Sequence, residues 1–302
     1  MRFDGLDLNL LVALDILLSE KNITKAGEKL FLSQPATSAA LARLRDYFKD
    51  DLLVQIGRSM VLTPMGESLA KPVKDLLIQT RTLLNNRHKF DPLTSDRTFT
   101  IMASDYTGSV LLPELNRKLA EYAPHCSIEQ IMPSSEAEKQ IQRGNVDILL
   151  LPSVNIIDEH PSTEIFNDEF VCVMWDQNSL SNKEMTLQDY KNAQHVMVRL
   201  GTIYNTPMID DWLIRNLNFE RKVGYVTINF SSVPLFLIGT PYIAIMHKRL
   251  ADIAAKHLPI HICQLPWETP KINIYMQWNK FQETDSGLVW LRDLIMETAS
   301  YL

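Results

Sequence analysis

Apolar residues recur at spacings of three and four through the first third of the chain. Leu10, Leu11, Leu14, Leu17 and Leu18 mark one amphipathic helix. Asn22 or Thr24 is placed to cap a second, which runs through Ala26, Leu30 and Phe31. Ser33 is placed to cap a third, and Pro35 then falls in its first turn, where a missing N–H costs little. Thr37, Leu41, Leu44 and Phe48 form the inward stripe of that third helix, with Gln34, Pro35, Ser38, Ala39 and Ala42 off it. The stretch DDLLVQIGRSMVLTP then reads as two short strands, 53–56 and 60–63, about a turn at Gly57, Arg58 and Ser59. Three helices and a hairpin make a winged helix-turn-helix.

Leu69, Val73, Leu76, Thr80, Leu83 and Leu84 keep a near-heptad spacing, which predicts a long helix carrying a dimer seam. Pro72 is expected to kink that helix or delay its regular part. FDPLTSDR reads as a linker. Beyond Thr98 strand and helix patterns alternate: TFTIMAS, CSIEQIMP, VDILLLP, EFVCVMW, HVMVRL, GYVTIN, YIAIM, IHICQLP and INIYMQW read as strands. VPLFLIG reads as one of the intervening helices and SGLVWLRDLIMETASYL as the terminal one. Such alternation predicts parallel pairing with both sheet faces covered. The expected fold is therefore a winged helix-turn-helix at 1–64, a linker and dimerisation helix with its hinge at 65–94, and an α/β part at 95–302. That last part is read as two Rossmann-like subdomains, 95–165 with 271–302 and 166–270. The chain is expected to cross near 163–167 and return near 266–271.

Composition sharpens this only in places. Hydrophobic residues make up 46% and charged residues 22% of the 302, enough for a sizeable core. A net charge of -6 argues against a uniformly basic nucleic-acid binder but allows a small DNA-binding part on an acidic remainder. Locally the balance reverses. Lys21, Lys25, Lys29, Arg43, Arg45 and Lys49 face only Glu28 and Asp46 between residues 21 and 49. Cys126, Cys172 and Cys263 are far apart and lack metal or disulfide spacing, so neither is expected and a reduced, cytoplasmic setting fits. Cys172, flanked by valines, reads as a buried strand residue rather than a redox sensor. The stretch MRFDGLDLNL lacks the basic region and apolar run of a signal peptide, and no apolar run approaches the ~20 residues of a membrane span.

The small, polar amino end of the third helix is the feature that points to function. Helix bulk limits entry to the major groove, and in a helix-turn-helix the first residues of the second motif helix reach base edges. Gln34 can pair with adenine, Ser38 with a phosphate or base, and Pro35 and Ala39 with thymine methyls. Thr24, Arg43 and the wing residue Arg58 complete the expected DNA-facing set. Close helix packing also explains small residues, but it leaves the wing and the long helix without a purpose.

The stretch from NLLVALDILLSEKNITKAGEKLFLSQPATSAALARLRDYFKDDLLVQIGR to LTPMGESL resembles the DNA-binding segment of LysR-type transcriptional regulators, and the remainder resembles their periplasmic-binding-protein-like effector domain. MRFDGLDLNLLVALD, SDRTFTIMASD, RGNVDILLLP and QWNKFQETDSGLVWLR are most similar to the nodulation regulators that respond to flavonoids, with aromatic-catabolism regulators next. Three positions depart from the family pattern. Ala26-Gly27 replaces paired alanines, Thr37 replaces an aliphatic residue, and Gln55 replaces an arginine at the wing. The glycine is expected to cost about 1 kcal/mol of helix stability.

In a two-subdomain α/β fold ligands bind outside the carboxyl ends of the strands. That rule nominates Ser104, Asp105, Tyr106, Pro152, Arg199, Thr202, Phe230, Ser231 and Tyr275. Arg199 suits a carboxylate or phenolate, or else a structural salt bridge; Tyr275 suits core as well as pocket; His247 reads as a helix-start residue. The implied effector is an aromatic acid or phenol. The implied partners are a double-stranded DNA operator, a second copy of the chain, a tetramer by resemblance, and RNA polymerase, with no membrane and no cofactor. A solute-binding transport component would lack the helix-turn-helix. An enzyme would show a nucleophile–base pair, a glycine-rich phosphate loop or a metal cluster, and none is present in the sequence.

Overall fold

A computed structural model describes residues 2–57, 59–85, 89–134, 136–199 and 208–302. The chain divides into two compact units, Met1–His88 and Lys89–Leu302.

The first unit opens on a small hairpin, β1 (Arg2–Phe3) and β2 (Leu6–Asp7), that the hydrophobic pattern did not announce. Asp4 and Gly5 both take positive φ to turn it. Three helices follow: α1 (Asn9–Glu20), α2 (Ile23–Leu30) and α3 (Gln34–Phe48). The five leucines expected on α1 are all buried. Asn22, not Thr24, caps α2, its Oδ1 accepting from Lys25 N at 3.0 Å. Ser33 Oγ accepts from Ala36 N at 3.4 Å to cap α3. Thr37, Leu41 and Leu44 are buried beneath α3, as their spacing predicted, and Phe48 is half-buried.

Two of the three departures from the family pattern explain each other. A Cβ on Gly27 would sit 3.0 Å from Thr37 Oγ1 and 3.0 Å from Leu32 O. Thr37 is fully buried, and its hydroxyl donates to Ser33 O at 3.1 Å. The hydroxyl thus occupies space that an alanine at 27 would need. The polar Thr37 is satisfied by the α3 cap, so its burial costs little.

The wing consists of β3 (Leu53–Ile56) and β4 (Ser59–Leu62), paired antiparallel. Arg45 holds its entrance, donating to Asp51 O at 2.8 Å and to Leu53 O at 2.6 Å. Asp50 Oδ1 accepts from Leu52 N and from Thr63 Oγ1, both at 2.6 Å, and Thr63 Oγ1 accepts from Gly66 N at 3.0 Å. This chain of bonds joins the wing to α4 (Pro64–Asn85). With Pro72 inside it, α4 is helical from Pro64 to Asn85, so its regular part is not delayed. Leu69, Val73 and Leu77 pack into the core of the unit, and Lys74 pairs with Asp15 of α1 at 3.3 Å, so tertiary packing offsets one missing backbone bond.

The second unit holds two five-stranded sheets. Its elements in chain order are β5 (Thr98–Ala103), α5 (Asp105–Tyr122), β6 (Ser127–Ile131), α6 (Ala137–Gln142), β7 (Ile148–Pro152), β8 (Ser162–Asp168) and β9 (Phe170–Trp175). There follow α7 (Leu187–Asn192), β10 (Gln194–Val198), α8 (Met208–Leu217), β11 (Lys222–Thr227), β12 (Ile243–His247), α9 (Lys248–Ala255), β13 (Ile260–Cys263), β14 (Ile272–Gln277) and α10 (Ser286–Ala299). The first sheet runs β6-β5-β7-β14-β8 and the second β11-β10-β12-β9-β13.

The sheets are mixed, not parallel throughout. The strand β5 pairs parallel with β6 and β7, but β14 runs antiparallel to β7 and β8, and β9 antiparallel to β12 and β13. The two crossings between sheets impose this, because a strand entering from the other sheet arrives at the opposite end. The segment read as the first crossing is itself strand β8, so the hand-over falls between Asp168 and Phe170. VPLFLIG forms only a 3-10 turn at Val233–Phe236, with Pro234 at its start.

The Gly27–Thr37 contact carries a measurable coupling. Gly27→Ala in an ordinary helix gains about 1 kcal/mol; here that gain is expected to vanish or reverse. In a Thr37→Ala background part of it should return, giving a coupling of about 1 kcal/mol in a double-mutant cycle by urea denaturation. Strict additivity of the two changes would show that they do not share space.

Candidate nucleic-acid interface and effector cleft

The amino end of α3 presents Gln34, Pro35 and Ala39 to solvent, with Ser38 half-buried between them. Thr24 of α2 and Arg43 of α3 are also exposed. The set is not one flat face. Ala36, Ala39 and Arg43 border a groove shared with Leu10, Val12 and Leu32, on the flank of α3 turned toward α1. Gln34 and Ser38 stand on the opposite flank by their spacing from Thr37 and Leu41. Arg58 lies outside the described residues.

The local excess of basic residues is mostly paired. Arg43 Nη2 lies 3.1 Å from Asp7, Lys29 2.6 Å from Glu20, Lys49 2.6 Å from Asp46, and Arg45 3.8 Å from Asp51. Counting charges between residues 21 and 49 missed three of these carboxylates because they lie outside that window. Exposed pairs of this kind hold by about 1 kcal/mol or less, so a phosphate can displace the acid. Asp7 is held below the usual carboxylate range by the Asn9 N–H and by Arg43.

In the second unit some of the expected strand-end residues meet: Asp105 bonds to Ser231, and Arg199 to Thr227. Ser104 follows β5 and caps α5, accepting from Thr107 N at 3.2 Å. Asp105 follows it. Its Oδ2 accepts from Ser231 N at 2.8 Å, a bond that spans the two sheets. Among the described residues Asp105 Oδ1 is buried and has no hydrogen-bond partner. Arg199 is exposed at the end of β10, and its N–H donates to Thr227 O at 2.9 Å, which places it beside the strand that leads to Phe230 and Ser231. Pro152 ends β7, half-buried. Thr202 lies outside the described residues.

Two expected cleft residues are engaged by carboxylates of β8. Tyr106 is buried, its hydroxyl donating to Asp168 Oδ2 at 2.7 Å and its ring stacked on His247 with centroids 3.6 Å apart. It is the second residue of α5, and its side chain turns into the junction between the sheets rather than the cleft. Tyr275 sits mid-strand, in register with Leu151 and Glu164, and donates to Glu164 at 3.1 Å. It stands on the opposite face of β14 from the buried Ile274 and Met276.

His247, also at a strand end, reads from sequence as a helix-start residue more than as a ligand contact, and the structure buries it. It is buried between Tyr106, Phe170 and Phe230, the last edge-on at 4.8 Å. Among the described residues its Nδ1 has no partner. Burial lowers its pKa to about 3, so the ring is neutral. Among the described residues no group of His, Cys, Asp and Glu is arranged to hold a metal ion, and no helix is long and apolar enough to cross a membrane.

A family model of bacterial regulatory helix-turn-helix proteins, lysR family, matches residues 8–67, and a model of the LysR substrate binding domain matches residues 94–300. The chain belongs to the LysR family. It is a LysR-type transcriptional regulator, not an enzyme, and its relatives in sequence include nodulation proteins. Nodulation protein D of Bradyrhizobium sp. (strain ANU 289) is 37% identical over 300 residues, covering 99% of this chain and 88% of that one. Nodulation protein D 2 of Rhizobium tropici is 37% identical over 302 residues, covering 100% and 96%. The fold recurs in the probable transcriptional regulator PA0477 from Pseudomonas aeruginosa, with a TM-score of 0.66 at 24% identity over 97% of each chain. It recurs in a full-length OxyR variant from the same organism, with a TM-score of 0.71 at 15% identity over 97% and 94%.

The neutral His247 makes this LysR-type regulator sensitive to acid. Unfolding releases a histidine of ordinary pKa near 6.5, while the folded ring stays neutral down to about 3. Between these values the unfolded state binds the extra proton, so stability falls as pH falls, by about 1.4 kcal/mol per pH unit. His195, also lowered to about 3 by burial, acts in the same sense, whereas Asp147 and Asp168, raised by burial, act in the opposite one. His247→Gln is therefore expected to flatten the loss of urea midpoint between pH 6.5 and 5 relative to wild type. An identical slope would show that His247 protonates in the folded protein.

Proposed function

We propose that this regulator is an inducer-controlled activator that reads a double-stranded operator with the amino end of α3. The observation that carries the reading is the exposure of Gln34 and Pro35, with Ser38 half-buried beside them, on a helix whose other side is locked into the core. Assembly as a dimer uses α4, where Leu76, Leu83 and Leu84 continue the stripe begun by Leu69 and Val73 and are exposed beyond the core of the unit. Tetramer formation, contact with RNA polymerase and a cytoplasmic location are part of the same proposal, supported by the full-length likeness to nodulation protein D. No cofactor is required by this reading.

The effector is a phenolic or other aromatic molecule bound between the two sheets, near Ser104, Asp105, Pro152, Arg199, Phe230 and Ser231. The buried Asp105 Oδ1 calls for a hydrogen-bond donor, which a phenol hydroxyl supplies and a carboxylate does not. Arg199, exposed at the mouth of the same edge, suits a second oxygen that carries negative charge.

Two measurements test the proposal. In mobility shifts Gln34→Ala should lower affinity for the matched operator about tenfold while leaving binding to scrambled DNA unchanged. Equal losses on both would remove Gln34 from base reading. In calorimetry with simple phenols and benzoates, Asp105→Asn should weaken phenol binding by about 1.5–3 kcal/mol, the worth of a hydrogen bond to a charged group. If the variant instead binds benzoates and phenols as wild type does, the effector site lies away from Asp105.

A further inference from the structure

The chain carries a pair of thiols that its sequence separates and its second sheet joins. Cys172 on β9 and Cys263 on β13 are direct register partners in an antiparallel ladder. Partners opposed in this way point to the same face, with Cα atoms about 4.5 or 5.5 Å apart depending on the type of pair. Both spacings fall within the roughly 4.4–6.8 Å that a disulfide spans. The two side chains differ in access. Cys172 is fully buried, while Cys263, on the edge strand, is half-buried.

We propose that Cys172 and Cys263 form an oxidisable site that closes to an intramolecular disulfide on exposure to a hydroperoxide. The half-buried Cys263 is the sulfur a peroxide reaches. Cys172 donates its thiol proton toward Cys263, which lowers the pKa of Cys263 and raises that of Cys172, so the thiolate forms on the accessible partner. That thiolate attacks one peroxide oxygen, the O–O bond breaks, and Cys263 becomes a sulfenic acid with release of water after protonation. The Cys172 sulfur then attacks the Cys263 sulfur, the S–O bond breaks, and a second water leaves with the Cys172 proton. Two thiols lose two electrons and two protons, and hydrogen peroxide is reduced to two waters. The bond ties the edge strand β13 to β9 just before the chain leaves along 264–271 for the first sheet.

Cys126 is an internal control. It lies in the other half of the unit, and its thiol donates to Ser95 O at 3.2 Å. The test treats the native full-length protein with hydrogen peroxide, blocks remaining thiols and measures intact mass and linked peptides. Wild type should lose the mass of two hydrogens, regain it with dithiothreitol, retain Cys126 as a blockable thiol, and yield a peptide joining Cys172 to Cys263. Cys172→Ala should stop at the sulfenic acid of Cys263, trapped by dimedone, and Cys263→Ala should do neither. Wild type that gains only oxygen, keeps its mass, or links through Cys126 or between chains would overturn the assignment without recourse to the variants.

Discussion

The junction of the two sheets rests on one buried carboxylate. Asp168 ends β8, one residue before the chain enters the second sheet. Its oxygens accept from the Tyr106 hydroxyl at 2.7 Å, from Glu169 N at 2.8 Å and from Arg249 N at 3.3 Å. Tyr106 belongs to the first helix of one subdomain and Arg249 to a helix of the other. Burial raises the proton affinity of Asp168, and these donors oppose that rise. Arg249 extends the cluster by donating to Asn167 O at 3.1 Å and to the Leu302 carbonyl. Removing one partner from a buried charge costs about 3–5 kcal/mol, because the remainder is left uncompensated. Burial, and after it the same carboxylate, pushes the Tyr106 phenol well above its ordinary range, so the bond is kept throughout physiological pH.

The proposed effector site lies next to that junction. His247 begins the helix that carries Arg249, and its ring lies on Tyr106. Asp105, the neighbour of Tyr106, reaches Ser231 across the gap. One turn of α5 therefore sends one side chain into the structural joint and its neighbour to the loop that carries Ser231, where the effector is proposed to bind. An effector that competes for Asp105 would act on a bond spanning the two sheets, adjacent to a hinge that the Asp168 cluster keeps in place. That arrangement links ligand contact to the relation between subdomains, the differential interaction a ligand-driven shift requires.

On the DNA side, stability and recognition divide α3 between its faces. Thr37, Leu41 and Leu44 are spent on the core, and Gly27 and Thr37 share one space. Gln34 and Ser38 remain for contact. The basic residues around them are partnered by Asp7, Glu20, Asp46 and Asp51. Binding at this surface exchanges weak intramolecular pairs for phosphates, so affinity should depend steeply on salt.

Local pattern alone determined much of this protein. The leucine spacing of α1, the Ser33 cap with Pro35 behind it, the alternating strands and helices, and the helix-turn-helix all follow from short-range spacing, because capping and periodicity are properties of neighbouring residues. The tertiary structure decided what depends on residues distant in sequence. It reversed the direction of the returning strands, made 162–168 a strand, and turned Tyr106 into the joint while pairing Asp105 with Ser231. It let α4 run through Pro72, and it brought Cys172 opposite Cys263. Register and burial are set by which elements meet, and a one-residue difference in position changes the face a side chain occupies, so no local signal carries them.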